Sequence, residues 1–225
     1  MLTIGHRGAS AHAIENSLTA FRLCVESTQF ACDGVELDIH STTDGELIVH
    51  HDPELADGRS IRTLYAGELR KVRLADGSEI PTLSEALEVL APIEVFIEAK
   101  GINIAGMARL VELMHRHPFP PRLHVHSFDH RIISRLHALD PSLSLGALSA
   151  SYPLDVAGPV LAAGARTLWQ EWALIDAAML EQCTAAGIGV IAWTVNDAKV
   201  AQRLRAMGVA GACGNWPERL RAERS

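Results

Sequence analysis

The most informative segment of this chain is Gly34-Val35-Glu36-Leu37-Asp38-Ile39-His40. Side chains alternate between the two faces of a β-strand, so Glu36, Asp38 and His40 would share one face and the apolar residues between them the other. In a parallel barrel, the apolar face packs under helices and the acidic face looks inward. Two inward carboxylates need a counter-charge, because unpaired buried charge is costly. A divalent cation with oxygen ligands can supply it.

A second segment, residues 94–100, repeats this alternation with the sequence Glu-Val-Phe-Ile-Glu-Ala-Lys. Glu98 and Lys100 fall on one face of the predicted strand. Glu98 is a candidate third carboxylate of a metal site, and Lys100 could meet a phosphate oxygen as a point charge. Either strand alone could carry ordinary structural charge. The same pattern in both strands favours a shared site.

The rest of the chain alternates short apolar runs with helix-period segments, which is typical of a parallel sheet. Eight runs read as strands: residues 2–6, 34–40, 93–99, 123–127, 143–147, 167–170, 188–194 and 209–213. Thr82, Asp176 and Asp197 are plausible helix N-caps. Closed on itself, such a sheet is a (β/α)8 TIM barrel. The rival is a doubly wound open sheet, which would place long apolar strands at its centre rather than strands with alternating charges.

Length and composition limit the class of protein. The 225 residues suit one barrel domain spanning 1–225, and 48% hydrophobic residues argue against disorder. A net charge of −7 argues against a nucleic-acid partner. The four cysteines lack CxxC spacing, which indicates reduced thiols and a cytoplasmic location. No apolar run approaches the roughly 20 residues of a membrane span, and the first residues do not resemble a signal peptide.

Two histidines lie where barrel enzymes carry out chemistry. His6 closes the first predicted strand, and Arg7 follows it; His51 follows an extended run, 46–49, after the turn signal Thr43-Asp44-Gly45. Histidine transfers protons near neutral pH, and arginine clamps phosphate through paired hydrogen bonds. Each histidine alone could equally be structural. The two acidic strands predicted beside them are what favours a catalytic role for the pair.

Several motifs in order resemble the glycerophosphodiester phosphodiesterase family. They are His6-Arg7-Gly8-Ala9-Ser10, Glu15-Asn16-Ser17-Leu18-Thr19-Ala20-Phe21, Val35-Glu36-Leu37-Asp38, Asp44-Gly45, His51-Asp52-Pro53, Ile80-Pro81-Thr82-Leu83, Glu98-Ala99-Lys100, Ser127-Phe128, Trp193-Thr194-Val195-Asn196 and Trp216-Pro217. The resemblance covers nearly the whole chain and is most specific in its first half. It implies a (β/α)8 barrel, one divalent cation, Mg²⁺ or Ca²⁺, and hydrolysis of a glycerophosphodiester to an alcohol and sn-glycerol 3-phosphate.

The resemblance also implies roles at matching positions. The metal ligands would be Glu36, Asp38 and Glu98, and the catalytic pair His6 and His51. The residues around the phosphate would be Arg7, Glu15 and Lys100, with Trp193 as a further substrate-binding candidate.

Two departures from the family pattern affect the expected site. Residues 56–79 leave room for at most a reduced insertion between the second strand and second helix of the barrel, a region that in many members shapes the substrate pocket. A Thr-Asp pair usual near the C-terminus reads Gly214-Asn215 here. The first departure leaves the released alcohol open.

Three other functions remain as alternatives. His124-Val125-His126 could belong to a metal amidohydrolase, whose His-x-His would bind a transition metal, although a structural or pocket-lining role is favoured for a pair in mid-chain. The barrel could bind a phosphorylated ligand without catalysis, or act as a lysophospholipase D or another phosphodiesterase, since fold does not fix substrate. The sequence does not indicate an oligomeric state.

Overall fold

The protein is a closed barrel of eight parallel β-strands surrounded by helices. The computed structural model describes residues 1–221, so the last four residues of the expected domain 1–225 lie outside the described residues. The barrel strands are β1 (Leu2–His6), β2 (Gly34–Ser41), β4 (Glu94–Gly101), β5 (Leu123–Ser127), β6 (Ser144–Ser149), β7 (Thr167–Glu171), β8 (Gly189–Trp193) and β9 (Gly211–Gly214). A short strand, β3 (Leu47–Val49), runs antiparallel to β2.

Pairing of β1 with both β9 and β2 closes the sheet. This closure confirms the predicted (β/α)8 barrel, and the open-sheet alternative is wrong. All eight segments predicted as strands from the sequence correspond to barrel strands, with ends that differ by at most two residues.

Nine α-helices lie among the described residues, and three of them start at the N-caps that the sequence predicts. The nine are α1 (Leu18–Glu26), α2 (Ala66–Leu69), α3 (Leu83–Leu90), α4 (Ile104–Arg116), α5 (His130–Leu139), α6 (Ala157–Ala162), α7 (Ala177–Ala185), α8 (Ala198–Ala206) and α9 (Pro217–Leu220). Thr82 caps α3 in a reciprocal capping box with Glu85. Asp176 and Asp197 accept hydrogen bonds from the first backbone amides of α7 and α8. None of the helices described within residues 1–221 is long and apolar enough to cross a membrane.

The strands divide the core into two layers. Outward-facing residues of β2, such as Val35, Leu37 and Ile39, are fully buried in one large cluster beneath the helices. A second cluster fills the barrel interior: Ile4, Phe96, Leu148, Trp169, Ile191 and Cys213. The polar face of β2 therefore points into the barrel, above an apolar floor.

A small satellite core supports one side of the barrel mouth. Residues 53–80 contain only the single turn α2, a 3-10 turn (Ile61–Thr63) and two isolated antiparallel bridges. Five of their apolar residues nevertheless form a buried cluster with Ile48 of β3: Leu55, Ile61, Leu64, Leu69 and Ile80. The insertion is thus reduced, as expected, yet packed. It fixes β3, and with it the position of His51 two residues later.

The turn before β3 requires its glycine. Gly45 has φ +82°, a conformation that side chains disfavour, and a Cβ there would lie 2.7 Å from the Cβ of Ala105. This turn, predicted from Thr43-Asp44-Gly45, returns the chain alongside β2 toward the mouth of the barrel.

Candidate active site

The polar side chains of the barrel interior meet at the C-terminal ends of the strands. Strand register places His6 beside Glu36, Asp38 beside Glu98, and Glu98 beside His126. A cavity of about 140 Å³ opens there. Seven of the nine residues predicted from the sequence line it: His6, Arg7, Glu36, His51, Glu98, Lys100 and Trp193. Asp38 and Glu15 lie behind this wall.

Glu36 and Glu98 form the acidic part of the cavity. Burial raises the pKa of Glu36 well above its usual value, and the negative charges of Asp38 and Glu98 raise it further. Burial likewise raises the pKa of Glu98 to about 7, although Lys100 opposes the shift. The buried Oε1 of Glu36 has no hydrogen-bond partner within residues 1–221. Such a pair of carboxylates calls for a cation.

Asp38 is held among positively charged and amide groups. Its Oδ2 accepts a hydrogen bond of 2.8 Å from the Asn16 amide and lies 3.1 Å from Nε of Arg7; its Oδ1 lies 3.3 Å from Nζ of Lys100. Burial alone would raise the pKa of Asp38, but Lys100 and Arg7 outweigh it and lower the pKa. Asp38 is therefore ionised and acts at present as the counter-charge of both cations.

His126 joins the two glutamates in one compact group. Ligand atoms of Glu36, Glu98 and His126 all lie within 4.8 Å of one another, the one such group of potential metal ligands within residues 1–221. The sequence showed His126 only as half of a His-x-His pair. Its partner His124 lies two residues earlier on β5 and bonds Glu94 and Ser144, each at 2.7 Å. Only the pairing of β4 with β5, which sets Glu98 beside His126, shows that the two histidines have different surroundings.

Asn215 determines the tautomer of His6. Its amide oxygen accepts a 2.7 Å hydrogen bond from Nδ1 of His6, so that nitrogen carries the proton. Nε2 of His6 keeps its lone pair and lies 3.9 Å from Oε2 of Glu36. Burial and the charge of Arg7 lower the pKa of His6 to about 4 despite this hydrogen bond. His6 is consequently neutral near pH 7 and able to accept a proton.

His51 lines a more open part of the cavity than His6, since its side chain is 35% exposed against 19% for His6. Its Nδ1 donates to the Asp52 carboxylate over 2.8 Å, which leaves Nε2 for other partners. The buried His40, predicted on the polar face of β2, donates from Nε2 to the backbone oxygen of His51 over 3.0 Å. His40 thus supports the loop that carries His51.

Arg7 reaches the cavity from a strained backbone position. Its φ of +56° lies in the left-handed region that non-glycine residues rarely adopt. Glu15 accepts two hydrogen bonds from Nη1 of Arg7, at 2.8 and 2.9 Å. Glu15 therefore orients the guanidinium from outside the cavity.

Aromatic residues also line the cavity. The indole of Trp193 meets the ring of Phe128 edge-on at 5.5 Å, and its buried N–H has no partner among residues 1–221. The ring of Trp169 stacks on His126, with centroids 4.0 Å apart. These rings give the cavity a rigid apolar side.

Fold and site together define a barrel enzyme that places buried carboxylates, two cations and two histidines around one small cavity. A model of the glycerophosphoryl diester phosphodiesterase family matches residues 6–219, and the chain belongs to this family. It is accordingly a phosphodiester hydrolase, a conclusion that replaces the amidohydrolase alternative.

Relatives match along almost the full chain. A glycerophosphodiester phosphodiesterase of Caldanaerobacter subterraneus subsp. tengcongensis is 28% identical, covering 97% of this chain and 96% of the relative. A solved phosphodiesterase from Oleispira antarctica, in complex with its product sn-glycerol-3-phosphate, superposes with a TM-score of 0.85 at 26% identity, covering 96% and 94% of the two chains. A putative glycerophosphodiester phosphodiesterase from Galdieria sulphuraria has the same fold, with a TM-score of 0.86 at 23% identity over 96% and 94%.

Proposed function

We propose that this barrel, as a single domain, hydrolyses glycerophosphodiesters to an alcohol and sn-glycerol 3-phosphate with the help of a divalent cation, and that His6 and His51 transfer the protons. The observation that carries the proposal is one cavity lined by both histidines, by Glu36 and Glu98, and by Arg7 and Lys100. A binding site alone would not need two proton-transfer groups.

The carboxylates fit a resident cation by their chemistry. Glu36 and Glu98 are buried with raised pKa values, and the buried Oε1 of Glu36 and Oδ1 of Asp38 accept no hydrogen bond within the described residues. Glu36, Asp38 and Glu98 would hold the ion, and an all-oxygen set of this kind suits Mg²⁺ or Ca²⁺. When bound, the ion polarises phosphate oxygens and offsets charge that develops at phosphorus.

The cations of the protein would hold the rest of the phosphate. Arg7, held by Glu15, presents its planar guanidinium to phosphate oxygens, and Lys100 adds a point charge. Trp193 would pack against the glycerol or the leaving group. Restraint of the phosphate between these groups and the histidines lowers the entropic cost of reaching the reactive geometry.

The hydrogen bonds of the two histidines suggest their roles. His6 is neutral, with its proton on Nδ1, so its Nε2 can take a proton from the attacking hydroxyl, which is water or the neighbouring hydroxyl of the glycerol. His51 has the carboxylate of Asp52 as a counter-charge for its doubly protonated form and can give a proton to the departing alcohol. In a second step through a cyclic phosphate, the two roles would reverse.

The test is turnover of a substrate panel. Glycerophosphocholine, glycerophosphoethanolamine, bis(glycero)phosphate and a lysophospholipid are assayed for sn-glycerol 3-phosphate and for the free alcohol, with Mg²⁺, Ca²⁺, Mn²⁺, Zn²⁺ or a chelator. Glycerophosphodiesters are expected to be cleaved in a metal-dependent way. Preference for the lysophospholipid would favour a lysophospholipase D, and tight binding without turnover would overturn the enzymatic proposal.

Variants test the proton-transfer pair. His6→Ala and His51→Ala are each expected to lower kcat by roughly 10²–10⁴-fold, the range that general acid–base catalysis contributes. His115→Ala, an exposed histidine on α4 that does not line the cavity, is the matched control. Near-normal kcat in both cavity variants would refute the assigned roles.

A further inference from the structure

One buried histidine of the cavity has no role in the reaction proposed above. His126 is only 1% exposed and lies on β5, in register with Glu98 on β4. Its Nδ1 has no hydrogen-bond partner within the part of the chain that the structure describes. A buried polar atom left without a partner costs about 1–3 kcal/mol, so its presence calls for an explanation.

The surroundings of His126 hold its ring in one plane. The ring stacks on Trp169 with an interplanar angle of 7° and a centroid distance of 4.0 Å. Such packing keeps the imidazole from turning away to find another hydrogen bond.

Acidic side chains lie close to a ring nitrogen of His126. Ligand atoms of His126, Glu36 and Glu98 lie within 4.8 Å of one another, close enough that torsional changes of the two Glu side chains would bring all three onto one ion. Lys100 binds Glu98 through Oε1 at 2.9 Å, which leaves the second carboxylate oxygen available. Asp38 is not part of this compact group: its Oδ2 lies 3.1 Å from Nε of Arg7, and its Oδ1 lies 3.3 Å from Nζ of Lys100.

We propose that His126 is a ligand of the catalytic cation and that its nitrogen shifts the metal preference of this protein toward Mn²⁺, Co²⁺ or Zn²⁺ over Mg²⁺ and Ca²⁺. Oxygen ligands suit Mg²⁺ and Ca²⁺, whereas imidazole favours first-row transition metals. The inference rests on the metal site of the proposed function, and it replaces an all-oxygen coordination sphere with a mixed one.

A spectroscopic experiment tests this directly. Mn²⁺ is bound to the purified protein, and electron spin-echo modulation from a coordinated ¹⁴N is recorded; Co²⁺ absorption gives a second signature. The wild type is expected to show nitrogen coordination, and His126→Gln, which puts an amide in its place, is expected to lose it. His124→Gln is the matched control, since His124 lies on the same strand outside the acidic group.

Metal affinities provide the quantitative test. Removal of this nitrogen is expected to weaken Mn²⁺ binding by about 10- to 100-fold, at least as much as loss of an outer-shell partner. Mg²⁺ binding, measured by competition, should change far less, so the ratio of the two dissociation constants falls.

The possible failures are distinguishable. Absence of any divalent-cation binding in the wild type would refute the metal site of the proposed function. Metal binding without a nitrogen signal in the wild type, a result that needs no variant, would refute only the role of His126. A higher KM in His126→Gln with unchanged metal constants would assign the ring to substrate and also overturn the inference.

Discussion

The buried carboxylate of Glu98 makes the stability of the metal-free protein depend on pH. Its pKa is raised from 4.5 to about 7, mainly by burial. Between these values the folded state keeps a proton that the unfolded chain releases. The contribution of Glu98 to stability is therefore full below about pH 4.5 and is lost as the pH rises through about 7.

The expected size follows from the shift. One pKa unit corresponds to 1.36 kcal/mol, so a shift from 4.5 to about 7 amounts to about 3 kcal/mol. For a domain of this length, a loss of 1 kcal/mol lowers Tm by about 2–4 °C, which gives about 6–12 °C in total. Glu98→Gln, which carries a neutral amide at every pH, should lose this dependence.

The comparison with the variant is essential because two buried histidines act in the opposite direction. The pKa of His6 is lowered to about 4 and that of His126 to about 3, so the unfolded state binds their protons more tightly, and their contributions to stability are restored as the pH rises toward 6.5. The curve of the wild type alone thus mixes the rising contributions of His6 and His126 with the falling contributions of Glu98 and Glu36. Subtraction of the Glu98→Gln curve removes the histidine contributions and leaves that of Glu98, together with its effect on the neighbouring Glu36.

The assay is urea unfolding at steps from pH 4.5 to 8 in the presence of a chelator, followed by tryptophan fluorescence and far-UV circular dichroism. The free energy of unfolding of the wild type, minus that of Glu98→Gln, should fall by about 3 kcal/mol over this range. Glu88→Gln, an exposed residue on α3, should give a constant difference. A constant or rising difference for Glu98→Gln would refute the reasoning.

Three further expectations concern single side chains. Thr82→Ala removes the N-cap of α3 and should lower the free energy of unfolding by about 1 kcal/mol, measured by urea titration; an unchanged midpoint would contradict the role of this capping box. Glu15→Ala frees the guanidinium of Arg7 and should raise KM for the phosphodiester several-fold at nearly constant Tm, whereas exposed Glu26→Ala should leave both unchanged; equal kinetics in the two variants would dismiss Glu15 as a positioning residue. Asn215→Ala releases Nδ1 of His6 and should lower kcat by roughly 10-fold or more, with recovery in Asn215→Asp, which restores an acceptor; failure of recovery would show that the tautomer of His6 is not what Asn215 controls.

Alternation along single strands made most of the barrel predictable. In residues 34–40 the branched apolar residues pack outward and the polar residues face inward, as the period of two requires. The helix caps Thr82, Asp176 and Asp197 were predictable for a similar reason, because a cap depends on three or four neighbouring residues.

Contacts between strands could not be predicted in the same way. Asp38 and Glu98 share the inner face of the barrel, but their partners differ. Only the tertiary structure shows that Arg7 and Lys100 form ion pairs with Asp38, and that His126 lies close to Glu36 and Glu98. Glu15 meets Arg7 where the backbone of Arg7 is left-handed. Because non-glycine residues rarely adopt this conformation, the sequence gives no sign of it. The satellite core formed by residues 53–80 and β3 could not be predicted from the sequence, because its apolar residues follow neither a helical nor a strand period.

The charge balance at the strand ends explains how an acidic protein can accept an anion. Three carboxylates, of Glu36, Asp38 and Glu98, face two permanent cations, Arg7 and Lys100, so the fully ionised group carries one net negative charge. Without a metal the group relieves this charge by retaining protons, as the raised pKa values of Glu36 and Glu98 show. A divalent cation would reverse the net charge to plus one, which a phosphodiester monoanion neutralises. The monoester product of the proposed reaction carries more negative charge and would overcompensate the site, so the same balance that would admit the substrate would favour release of this product.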